Sequence, residues 1–82
     1  MNVEMIAALE KQIVTEFIKQ PERKLDPEEA LISSGVIDSF SLVDLSLFVE
    51  DTWNVIIDDT ELNAETFDTL EQLAALITER MD

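Results

Sequence analysis

Apolar residues return at helical spacing in three separate stretches of this chain, and nowhere do they alternate long enough to build a sheet. In residues 3 to 19 the set is Val3, Ile6, Leu9, Ile13, Val14, Phe17 and Ile18, which at 3.6 residues per turn share one broad face. Pro21 biases the residue before it out of the helical region, so this first helix should end near Gln20. In "FDTLEQLAALITERM" Asp68 or Thr69 stands as the N-cap, with Glu71 or Gln72 at the capping-box position. Leu70, Leu73, Ala74, Ile77 and Met81 then fall on one face of a last helix.

Between these two lies a third helix, Ser39 to Thr52, with neither Pro nor Gly and with Asp38 or Ser39 as its cap. "LDPEEALISSG" before it carries a start signal for a short helix, with Asp26 as cap, Pro27 at the first helical position and Glu29 three residues after the cap. Gly35, the only glycine, would end that helix through a positive φ. After residue 52, "WNVIIDDTEL" has Val55 and Ile57 in strand-like alternation, too short to stand without a partner strand. It is expected as an extended connector that buries both, followed by one helical turn near Thr60 to Ala64. The economical fold is an all-α bundle in one domain, residues 1 to 82, near the size at which a single core is only just sufficient.

Composition removes most chemistry. The chain has no Cys and no His, so disulfides, zinc thiolates, thiol nucleophiles and the commonest general base are all absent. Any thiol would have to be imported on a prosthetic group. A carboxylate such as Asp38 or Asp44 activates a hydroxyl poorly without His or Lys, so a serine enzyme is disfavoured. An EF-hand is rejected too: "DTWNVIIDDTEL" puts Trp53, Val55 and Ile57 where oxygen ligands should alternate, Ile56 where Gly is needed and Leu62 where Glu should close the loop. No metal site is expected. No apolar run approaches the ~20 residues that span a bilayer, and the N-terminus lacks the features of a signal peptide, so a soluble, cytoplasmic protein is expected.

The 19 acids and 5 bases give a net charge of -14. Residues 1 to 25 are neutral, with four acids and four bases, which leaves 15 acids and Arg80 for the rest of the chain. This balance disfavours nucleic acid as a partner and fits either a solvated, solubilising surface or a protein partner with a basic patch.

The helix from Ser39 carries one apolar stripe too many. Leu42, Leu45, Phe48, Val49 and Trp53 form one stripe, and Phe40, Val43 and Leu47 form another, bordered by Asp44, Glu50 and Asp51. A small bundle needs one stripe for its core, so the second is a candidate docking surface. Ser39 lies at the tip of the same helix, where unpaired N–H groups and the positive end of the dipole suit a phosphate ester.

At "GVIDSFSLVDLSLFVEDTW" the sequence resembles the acyl carrier protein family, which includes peptidyl and aminoacyl carriers. Gly35, Asp38, Ser39, the apolar residue at 40 and the downstream Phe67-x-Thr69-Leu70 carry the resemblance, which covers nearly the whole chain. It implies a small four-helix bundle of the acyl-carrier type, with three main helices, a short third helix and a long first loop. By the same resemblance Ser39 is the attachment site of 4'-phosphopantetheine, transferred from coenzyme A by a phosphopantetheinyl transferase, and Asp38 is its motif neighbour. Phe40, Val43 and Leu47 match apolar contact positions, and Asp44, Glu50 and Asp51 match acidic positions that meet basic patches on loading ligases, synthases and transferases.

What the resemblance implies is a monomeric, non-catalytic carrier that holds acyl intermediates as thioesters for fatty-acid, polyketide or related specialised biosynthesis. An aminoacyl or peptidyl carrier, of D-alanyl or nonribosomal type, is the alternative. Ser41, Ser46 and Val49 dilute the acidic run of housekeeping fatty-acid carriers, Trp53 stands where Phe is common, and Asp58 where Pro is common, so "GVIDSF" looks closer to discrete specialised carriers. A reading from another class is an unmodified acidic interaction module in which Ser39 only caps the helix.

Overall fold

The computed structural model describes residues 3 to 20 and 22 to 81. Three helices make the body: α1 is Val3–Gln12, α2 is Ser39–Trp53 and α3 is Leu70–Arg80, with a 3-10 turn at Asp59–Glu61 between the last two. No strand occurs among the described residues, and the fold is the expected small helical bundle with its long first loop.

α1 continues into a π-helical turn over Ile13–Phe17, closed by the Ile18 N–H on the Ile13 carbonyl at 2.9 Å. The wider turn lets the neighbours Ile13 and Val14 both face the core, where they are fully buried. Lys19, in the left-handed region at φ 61°, stops the helical path, so the helix ends at Phe17, short of the expected Gln20. Pro21, on which that expectation rested, lies outside the described residues. The inward face of α1 is Met5, Ile6, Leu9, Ile13 and Val14. Val3, which the spacing assigned to that face, is exposed instead.

The short helix expected after Asp26 does not form. Asp26 does start a turn, its carboxylate accepting from the Glu28 N–H at 2.8 Å and its carbonyl from the Glu29 N–H at 2.9 Å. The N–H groups of Leu31, Ile32 and Ser33 then all reach Asp68 Oδ1, at 3.1, 2.7 and 3.0 Å, and the Ser33 hydroxyl donates to Oδ2 at 2.5 Å. A helix would have turned those donors to carbonyls four residues back; Asp68 at the entry to α3 satisfies them instead, its carboxylate taking all three and its carbonyl also accepting from the Leu31 N–H at 2.6 Å. Leu25, Leu31 and Ile37 are buried and anchor the loop to the bundle, and the Glu10 carboxylate holds the Leu25 N–H at 2.6 Å. Gly35 has φ +84°, the positive value its position demanded, and turns the chain toward Asp38.

Asn54, left-handed at φ 57°, ends α2, and its N–H closes on the Glu50 carbonyl at 2.8 Å. The connector behaves as the alternation predicts, with Val55 and Ile57 buried and Ile56 exposed between them. The helical turn after it sits at 59 to 61, slightly ahead of the expected 60 to 64, because Asp58 caps it in a reciprocal box with Glu61. Arg80 then ties this turn to the end of α3, donating to both Glu61 carboxylate oxygens and, at 3.2 Å, to the Ile56 carbonyl. Thr69 caps α3 by accepting from the Gln72 N–H at 3.0 Å, while Gln72 Oε1 reaches back to the Asp68 N–H at 2.7 Å. Leu70, Leu73, Ala74 and Ile77 line the core; Met81, past the last turn, is largely outside it.

Candidate functional site

The tip of α2 is built by its cap. Asp38 is extended, at φ -89° and ψ 174°, and Oδ1 accepts from the Ser41 N–H at 2.8 Å while its carbonyl accepts the first helical bond from Leu42 at 3.1 Å. The Ser41 N–H is the main reason the Asp38 carboxyl sits below its ordinary value, with the Ser41 hydroxyl and the Phe40 N–H adding to it. Capping therefore belongs to Asp38. Ser39, the first helical residue, is exposed, and its hydroxyl has no hydrogen-bond partner among the described residues. It stands at the positive end of the helix dipole, while the N–H groups of Phe40, Ser41 and Leu42 are turned to Asp38.

The two stripes of α2 separate in the way their spacing requires. Leu42, Leu45 and Val49 are fully buried, and Phe48 and Trp53 pack partly buried against the core in an edge-to-face pair with centroids 5.6 Å apart. Phe40, Val43 and Leu47 are 85%, 46% and 57% exposed, and Asp44, Glu50 and Asp51 are exposed beside them. An apolar row bordered by acids thus begins one residue after Ser39 and runs for two turns. None of the described acids cluster in an arrangement that could hold a metal ion.

A family profile for the phosphopantetheine attachment site matches residues 11 to 77. The chain belongs to the phosphopantetheine-attachment family. It is a phosphopantetheine carrier, and 4'-phosphopantetheine is its covalently bound prosthetic group. The chain is also similar to a D-alanyl carrier protein of Bacillus pumilus (strain SAFR-032), 28% identical over 67 residues that make up 82% of this chain and 86% of the relative. No helix among the described residues is long and apolar enough to cross a membrane.

The structure fits such a group: a hydroxyl that is exposed and without a partner among the described residues stands at a helix tip, open to esterification. It also shows a residue whose reach the sequence hid. Asp68, legible only as a possible cap for α3, is the carboxylate that shapes the loop leading to Ser39. Its one sequence signal was its place before Thr69; the three N–H groups it binds lie 35 to 37 residues away.

Proposed function

We propose that Ser39 is the residue that carries the 4'-phosphopantetheine arm, that Asp38 sets its presentation, and that Phe40, Val43 and Leu47 with Asp44, Glu50 and Asp51 form the surface on which partner enzymes dock. The observation that carries this is the Ser39 hydroxyl, exposed and unpartnered one residue after the cap and one before the open apolar row. Because Asp38 takes the capping role, esterification of Ser39 removes no hydrogen bond from the helix start. The arm supplies the thiol that the sequence lacks, so cargo is held as a thioester and the chemistry belongs to the partners. A transferase gripping the exposed row works on the tip beside it, and its basic side chains meet the three acids, giving fast, salt-sensitive encounter. With neither His nor Cys, the chain itself is read as non-catalytic.

Incubation with coenzyme A, a divalent metal and a broad-specificity phosphopantetheinyl transferase should raise the intact mass by one arm in the wild type and leave Ser39→Ala unchanged. An unmodified interaction module would gain no mass in either. Of the two cargo classes, the similarity to a D-alanyl carrier protein favours an aminoacyl group over a fatty or polyketide acyl chain. The loaded carrier should then be charged by a D-alanine ligase with ATP, in a form released by hydroxylamine. Charging by a fatty-acyl ligase but not by the D-alanine ligase would reverse that assignment.

A further inference from the structure

A second surface lies away from α2, between the start of α1 and the length of α3. Val3 and Glu4 form one wall; Glu71, Ala75, Thr78 and Glu79 form the other, and Ala74 lies at the bottom. The helices pack closely below it, where the Thr78 hydroxyl contacts the Met5 sulfur at 3.8 Å. Above that contact the small side chains of Ala74 and Ala75 leave an open groove. Val3 belongs by its spacing to the core face of α1, yet it is 71% exposed. Met81, one turn beyond Thr78 and likewise in register with the core face of α3, is exposed too. The apolar spacing of both helices thus runs past the buried core, at Val3 in α1 and at Met81 after α3.

Among the described residues, every ionisable side chain lining the groove is a carboxylate: Glu4 on one wall, Glu71 and Glu79 on the other. Arg80, the one base in this part of the chain, is turned to Glu61 and the Ile56 carbonyl, with Glu79 only a lesser influence on it. Glu71 and Glu79 stand two turns apart on α3, about 12 Å at 1.5 Å per residue. We propose that this groove docks a helical segment of a partner protein, with small or branched apolar side chains against Val3, Ala75 and Thr78 and two basic residues spaced two turns apart to meet Glu71 and Glu79. A second copy of this chain is a poor occupant, since residues 26 to 82 carry 15 acids and one base. The groove lies off the α2 row, so a partner could hold the carrier here while another enzyme works at the α2 tip.

The test is a nitrogen-15 NMR titration of the unmodified full chain, which makes it independent of whether Ser39 carries the arm. The probe is a synthetic helical peptide of about four turns with Leu and Ala on one face and two Lys two turns apart; a control peptide has both Lys replaced by Gln. The expected result is shifts centred on the amides of Val3, Glu4, Ala75, Thr78 and Glu79. Affinity should fall about three- to tenfold for the control peptide and for the Glu71→Gln/Glu79→Gln variant, the range for two rim charge pairs. The variant's unperturbed spectrum elsewhere will show that it is folded. Shifts centred on Phe40, Val43 and Leu47, groove shifts of equal strength in wild type and variant, or no shifts at about 1 mM peptide would overturn the proposal. So would groove shifts that follow the concentration of the carrier alone, which would mean a second copy.

Discussion

One carboxylate organises the approach to Ser39. Asp68 gathers the N–H groups of Leu31, Ile32 and Ser33 and the Ser33 hydroxyl, and the bonds to Ser33 come first among the causes that hold its carboxyl below the ordinary 3.8. A depressed folded-state pKa means that the stabilisation is present in full above the unfolded value and is lost as pH falls through the folded one. The gap in melting temperature between wild type and Asp68→Asn should therefore be constant above about pH 5 and close below pH 3.8. A gap that stays open in acid would mean that the charge of Asp68 does not hold the loop. Gly35 is the complementary case, legible from sequence because only one glycine stood where the chain had to turn. A Cβ there meets nothing within 4 Å, so Gly35→Ala should cost only its backbone strain at φ +84°, about 1–2 kcal/mol by chemical denaturation. Asp68 was less legible than Gly35 because its partners are distant in sequence, and no local pattern announces a carboxylate serving another loop.

At the scale of the helix, α2 is the most informative element. Its two stripes were readable because helical spacing alone separates them, and burial follows the division: Leu42, Leu45 and Val49 inside, Phe40, Val43 and Leu47 outside. Leu45→Ala should cost about 2–5 kcal/mol through transfer and cavity terms. Val43→Asp and Leu47→Asp should change stability by no more than about 0.5 kcal/mol, yet slow modification by the transferase. If Val43→Asp unfolds the protein, the outer row belongs to the core and the docking reading of α2 fails. The short helix read at 27 to 34 failed for a physical reason: cap and Pro were in place, but the donors after the first turn found Asp68 before they found their own carbonyls. The π-helical turn at Ile13–Phe17 was hidden because apolar spacing over one extra residue looks the same as a broad helical face.

For the whole molecule the charge is the dominant fact. After residue 25, 15 acids face one base, and that base, Arg80, is spent on joining the 59–61 turn to the end of α3. Repulsion among the rest weakens the compact state, so moderate NaCl added from low ionic strength should raise the melting temperature; a fall would contradict the argument. The helical architecture could be read from periodicity, and the family from the motif around Ser39, but the route of the first loop and the groove between α1 and α3 depend on contacts between residues far apart in sequence. The account turns on which hydroxyl carries the arm. Peptide-level tandem mass spectrometry of the transferase-treated protein is the most direct measurement, because Ser33, Ser34, Ser41 and Ser46 surround the site with competing hydroxyls. The account predicts the phosphopantetheine mass on Ser39 alone; its appearance on Ser41 or any other of these serines, or an unmodified peptide throughout, would contradict it.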